Sequence, residues 1–147
     1  MSELERLVQQ MSDRESIRDL VYDYQRLCDG GWSGPSHQDP ASLTRLFTPN
    51  GEYQIDPSRP PNRGHEAIES AFIRLQRSMP WIIHYATNPL IKIDGDEAEA
   101  RVQGFALYKR DGADFIATGT YRGRVVRTNQ GWRFTSWIFD LAHSRPL

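Results

Sequence analysis

The run Trp81-Ile-Ile-His-Tyr-Ala-Thr-Asn88 places one imidazole, His84, among apolar and aromatic side chains. In a strand, alternation sends His84 to the same face as Ile82 and Ala86. An imidazole titrates near neutrality, so on that face it can act as a general base toward a carbon-bound proton. It can equally be a core side chain bonded to a carbonyl, because histidines are commonly part-buried. The remaining histidines read differently. His65 follows Gly64 in the first turn of a helix, while His37, in a Gly/Pro/Ser loop, and His143, in the carboxy-terminal tail, read as solvated. Tyr24 shares an apolar helical stripe with Leu20 and has two readings: core packing with its hydroxyl at a wet edge, or a donor to an oxygen that gains charge. Asp29, followed by Gly30, reads on its own as a residue that closes a helix.

Several chemistries lack their residues. Cys28 is the single cysteine, no HxH or HxxxH spacing occurs, and neither a Gly-rich phosphate loop nor a GxSxG turn is present. No metal, cofactor or disulfide framework is expected. Eighteen basic and nineteen acidic side chains leave a net charge of −1. Such a balance produces no long-range field that would favour nucleic acid or an anionic membrane. A small hydrophobic molecule is the expected partner. The opening MSELERLVQQ is charged from residue 3, and no run approaches the roughly 20 apolar residues of a membrane span. A cytoplasmic protein is expected.

The elements that must position these groups follow from periodicity. Ser12-Asp-Arg-Glu15 fits a capping box, and Ile17, Leu20, Val21, Tyr24, Leu27 and Cys28 recur at offsets of three and four, predicting a first helix that stops at Asp29-Gly30-Gly31. Asp39-Pro40 opens a short second helix with Leu43, Leu46 and Phe47 on its inner side. TPNGEYQI turns into a strand, and residues 65–78 show helical spacing again through Ile68, Phe72 and Leu75. Loops are expected over 30–40 and 56–64. Beyond Pro80 the chain reads as consecutive strands broken at Asp94-Gly95-Asp96, Asp111-Gly112 and Asn129-Gln130-Gly131. The whole chain, 1–147, reads as one α+β domain, a curved and mainly antiparallel sheet packed on three helices, with 1–11 a leading segment and 142–147 a tail. Ala98, Ala100, Val102, Gly104, Ala106 and Tyr108 put mostly small side chains on one strand face, leaving room for a ligand. Phe105 and Leu107 on the other face suggest a partner subunit, so a homotrimer or homodimer is expected.

IRDLVYDYQRLCDGGW, LTRLFTPNGEYQID, GHEAIESAF and GWRFTSWIFD, in that order, resemble the SnoaL-like branch of the nuclear transport factor 2-like superfamily. IHYATN, together with an aspartate just past the first helix, is similar to the group containing scytalone dehydratase, hexachlorocyclohexane dehydrochlorinase and bile-acid 7α-dehydratase. The resemblance implies a cone-shaped α+β barrel, frequent trimers, and lyases that eliminate water or hydrogen chloride without metal or organic cofactor. It puts the family's base at His84, its partner aspartate at Asp29 and a dehydratase tyrosine at Tyr24. The chain departs from the dehydrochlorinase in having Tyr24 in place of the first-helix lysine, and no basic residue at Trp137. The expected function is a cofactor-independent lyase, of dehydratase or dehydrohalogenase type, or an isomerase, acting on a small cyclic hydrophobic substrate. Tyr53, Tyr108, Tyr121 and Trp137 are the expected substrate-contacting aromatics. The rival expectation is a non-catalytic small-molecule-binding or oligomerisation module, since fold alone does not decide function. A third is the small subunit of an oxygenase.

Overall fold

A computed structural model of the protein describes residues 1–30 and 34–147; Gly31 of the expected helix stop, with residues 31–33 of the expected 30–40 loop, lies outside the described residues. The elements run α1 (Glu3–Cys28), α2 (Pro40–Thr44), β1 (Phe47–Gln54), β2 (Asn62–Arg63), α3 (Gly64–Ser78), β3 (Trp81–Asp94), β4 (Glu97–Arg110), β5 (Ala113–Thr128) and β6 (Gly131–Pro146). The six strands form one sheet in the order β2-β1-β6-β5-β4-β3. All neighbouring pairs are antiparallel except β1 and β6, which run parallel. The sheet is curved but stays open, with β2 and β3 at its two edges. The protein is α+β as expected, but its sheet does not close into the expected barrel.

Local chemistry explains most boundaries. The three hairpin turns carry Gly95, Asp111 with Gly112, and Gly131 at positive φ, where glycine and short polar residues fit most easily. The first helix begins far earlier than its second Ser-x-x-Glu pattern suggests. Ser2 is the cap: its hydroxyl accepts from the Glu5 N–H at 3.1 Å, and Glu5 accepts from the Ser2 N–H at 2.6 Å. Both Ser2-Glu-Leu-Glu5 and Ser12-Asp-Arg-Glu15 satisfy the capping-box rule, and nothing between them breaks a helix. The leading segment is therefore helical, with Leu4, Val8 and Met11 exposed. The expected tail belongs to β6, where Thr118 pairs with His143 and Phe115 with Pro146.

One core lies between the helices and the concave face of the sheet. The α1 stripe buries Ile17, Leu20, Val21, Tyr24 and Cys28, and each fully buried large aliphatic contributes about 1.5–3 kcal/mol. On β4, Ala98, Ala100, Val102, Gly104 and Ala106 are buried while Glu97, Glu99, Arg101, Gln103 and Phe105 face out, as the alternation predicts. Asp13, the residue after the rejected cap, ties α1 to the far end of the sheet. Its carboxylate accepts from both terminal nitrogens of Arg127 at 2.7 and 2.9 Å, from the Trp132 indole at 3.2 Å and from Gln9 at 3.1 Å. The Arg127 hydrogen bonds hold the Asp13 carboxyl below its usual pKa, so this stabilisation is present above the ordinary carboxylate range and is lost as pH falls through the lowered value. Asp13→Ala removes the acceptor of the two terminal Arg127 nitrogens and of the Trp132 indole, leaving Arg127 its Nε bond to Asp96 at 2.9 Å, and is expected to lower the unfolding free energy by roughly 2–4 kcal/mol, measured by urea denaturation at neutral pH.

Candidate active site

The amino-terminal helix delivers the carboxylate. Asp29 is the C-cap of α1, its N–H bonded to the Gln25 carbonyl at 2.9 Å. Gly30 follows with φ +62°, and a Cβ there would meet the Pro35 carbonyl oxygen at 2.4 Å, so only glycine allows the chain to turn away while Asp29 keeps pointing inward. The strand β3 delivers the imidazole. Across 55 residues of sequence, one Asp29 oxygen accepts the His84 backbone N–H at 2.9 Å and the other lies 2.5 Å from His84 Nδ1. Both side chains are almost wholly buried. The short contact to a carboxylate sets the proton on Nδ1 and leaves the Nε2 lone pair on the opposite edge of the ring.

His84 lines a cavity of about 260 Å³. Its wall includes His84 with Tyr24, Tyr53, Tyr108 and Tyr121 among apolar side chains such as Leu75, Ile82 and Ala106. The Tyr121 hydroxyl reaches Nε2 at 3.3 Å, and the Tyr24 and Tyr53 hydroxyls share a hydrogen bond of 2.7 Å. Burial raises the pKa of all three phenols, so at neutral pH each is a neutral hydroxyl able to donate. A Cβ at Gly104 would lie 3.0 Å from the Tyr121 ring; the bare backbone lets Tyr121 lie close against β4. The Tyr108 hydroxyl is 2.7 Å from the Ser144 hydroxyl.

The structure therefore brings together His84, Asp29, Tyr24, Tyr53 and Tyr121, with Tyr108 also on the cavity wall. Trp137 does not line the cavity; fully buried, it stacks behind Tyr121 at 5.5 Å between ring centroids, with its indole nitrogen unpaired. His65 is half-buried in the first turn of α3, 2.9 Å from the Phe47 carbonyl, and His143 is exposed. His37 departs from expectation. It is only 2% exposed, lies on the cavity wall and stacks on Phe72 with centroids 6.2 Å apart. Its loop reads as solvated because Gly, Pro and Ser dominate it, and its cover comes from α3, far along the chain. The only local hint was a histidine set beside Ser36 in a segment otherwise poor in titratable groups.

A family comparison covers most of this framework: residues 9–138 match the SnoaL-like domain. The chain belongs to the SnoaL-like domain family. The fold of this SnoaL-like protein matches several solved structures. One, from Novosphingobium aromaticivorans, is proposed to be an aromatic ring hydroxylase; it is 25% identical, with a TM-score of 0.82, covering 93% of this chain and 94% of its own. Another from the same organism is a proposed scytalone dehydratase, 19% identical, with a TM-score of 0.81 and coverages of 94% and 89%. A hexachlorocyclohexane dehydrochlorinase of the LinA type from Novosphingobium barchaimii is 18% identical, with a TM-score of 0.81 and coverages of 99% and 94%. No curated protein matches the SnoaL-like chain by sequence.

Burial and the neighbouring His84 push the His37 pKa down from 6.5 to about 3. A base whose folded pKa is depressed takes up a proton on unfolding between those values, so stability is lost as pH falls from about 6.5 toward 3. His37→Phe, which cannot be charged, is expected to reduce the slope of stability against pH in that window by about 1.4 kcal/mol per pH unit, read from urea unfolding curves between about pH 4 and pH 7.

Proposed function

We propose that the protein is a lyase or isomerase that acts on a small cyclic hydrophobic substrate by proton transfer through His84. The observation that carries this reading is the division of labour on one imidazole. Nδ1 is committed to Asp29, while on this cavity-lining residue Nε2 has only a 3.3 Å contact to the hydroxyl of Tyr121, itself on the cavity wall, long enough for a substrate to displace.

In an elimination, Nε2 removes a proton from the carbon next to an electron-withdrawing group. The C–H electrons become the new double bond, and the bond to the leaving oxygen or halogen breaks. Asp29 stabilises the imidazolium while it exists. That imidazolium then returns its proton to the departing hydroxide, so water leaves and the base is regenerated without an outside acid. Tyr24 or Tyr53 donates to the oxygen that gains charge, since one proton of their shared pair remains free for a ligand. Isomerisation uses the same first step with the proton returned to a different carbon. The apolar wall supports a cyclic hydrophobic substrate. The dehydratase and dehydrochlorinase named among the similar structures motivate placing elimination ahead of isomerisation.

The rival reading is a non-catalytic binding module that uses the same cavity. It is favoured by the fact that a protein hydroxyl already occupies Nε2. Incubating the protein with a panel of cyclic β-hydroxy and β-halo ketones and following the absorbance of the conjugated enone separates the two. Turnover is expected for at least one compound. His84→Ala is expected to lower kcat by about 10²–10⁴, and Asp29→Asn to lower kcat in the same direction while binding of the ketone is retained. Absence of turnover by the folded protein across the panel would favour the binding module.

We further propose that the protein assembles as a homotrimer or homodimer through the outer face of the sheet. Tyr85 and Phe105, paired across β3 and β4 with ring centroids 5.7 Å apart, are both exposed there, an apolar pair that a second subunit would cover. Light scattering at micromolar concentration is expected to give a multiple of 17.0 kDa, and Tyr85→Lys with Phe105→Lys is expected to shift the protein toward monomer.

A further inference from the structure

His84 and His37 both line the cavity, and the proton-transfer scheme uses only the first. His37 is held in place by more contacts than a solvated loop residue would need. Its φ of +54° is unusual for a residue with a Cβ, and such conformations persist where the surroundings over-determine them. Here the His37 N–H bonds to the Cys28 carbonyl at 2.9 Å, the Ser36 N–H to the Pro80 carbonyl at 3.1 Å, and the Ser36 hydroxyl to the Met79 carbonyl at 2.5 Å. The loop is thereby tied on one side to the end of α1, next to Asp29, and on the other to the junction of α3 with β3. The ring itself rests on Phe72.

The two ring nitrogens have different surroundings. Nδ1 is shut off from solvent and has no hydrogen-bond partner. A buried N–H without an acceptor is among the rarest features of folded proteins, and an unmet lone pair is tolerated better. The proton of the neutral ring therefore belongs on Nε2, the remaining polar atom that this wall residue can offer to the cavity. Burial and the adjacent His84 keep the ring uncharged, so it offers one N–H rather than a cation. Such a group fits a neutral oxygen better than a carboxylate or phosphate.

We propose that His37 is a ligand-binding residue that donates its Nε2–H to a carbonyl oxygen on an apolar cyclic ligand, and so selects oxygenated rings over hydrocarbons of the same size. The inference rests on reading the cavity as a ligand site, not on turnover.

Titrating β-tetralone and tetralin, which differ in the carbonyl, into wild-type protein and His37→Phe tests it by calorimetry. Wild type is expected to bind the ketone about 5- to 10-fold more tightly than the hydrocarbon. In His37→Phe, which keeps a ring to stack on Phe72, that ratio is expected to fall toward one with tetralin affinity retained. His37→Gln, which keeps an N–H donor, is expected to recover part of it. An unchanged ratio in folded His37→Phe, or failure of the ketone to bind wild type, overturns the proposal. Should both variants fail to fold, nitrogen NMR of histidine-labelled wild type decides. A neutral His37 with its proton on Nε2, whose resonance moves with ketone but not with hydrocarbon, supports the proposal; a proton on Nδ1, or no response to the ketone, overturns it. A protein that turns over no substrate yet shows His37-dependent ketone binding would remove the catalytic reading and leave this one standing.

Discussion

The carboxylate of Asp29 is buried at the end of a helix and gives both of its oxygens to one residue, taking the backbone N–H of His84 with one and its ring with the other. A buried carboxylate is strongly destabilising unless paired, so the two elements must meet there and in that register. A slip of β3 by one residue would send His84 to the outer face and strand the charge. The contact thus sets the placement of α1 on the sheet, the tautomer of the imidazole and the side of the ring that remains free. It stabilises the fold and prepares the chemistry at once.

The rest of the concave face is arranged around that contact. Small residues on β4 leave space where larger ones would have filled the core, and Gly104 admits Tyr121 close to the strand. Trp137 and Phe134 pack behind, giving Tyr121 a rigid backing without entering the cavity. At the other end of the sheet, Asp13 with Arg127 and Trp132 repeats the device of a buried carboxylate on α1 paired to a distant strand. Two such anchors, one near each end of the buried half of α1, fix how the helix lies across the sheet. The polar groups on the cavity wall include the Tyr24, Tyr53 and Tyr121 hydroxyls and the His37 and His84 rings, a set suited to moving or holding single protons, with Asp56 and Arg110 also on the lining.

Features governed by neighbours in sequence were legible before any coordinates. The hairpin turns at Gly95, Gly112 and Gly131 are local backbone chemistry, and the buried face of β4 follows from alternation. The start of α1 was not, because two capping boxes ten residues apart are equally good locally and only the Ser2 one is used. The parallel pairing of β1 with β6 and the absence of closure were also hidden, since strand partnership across the chain leaves no local pattern. His37 looked solvated for the same reason: its burial is supplied by Phe72, from an element 35 positions away.

By itself the sequence determined the order of helices and strands, which strand faces are apolar, and that the histidine in the Trp81–Asn88 run shares a face with the core. Each of these depends on periodicity or turn chemistry within a few residues. Resemblance to a family nominated Asp29 as its partner, but a carboxylate at a helix end is equally at home as a loop residue. Only the tertiary structure decided that Asp29 and His84 meet within hydrogen-bond distance, that Trp137 stands behind the cavity wall, and that His37 stands in it. Those outcomes depend on which side chains from distant segments exclude water from one another, and that is a property of the assembled core.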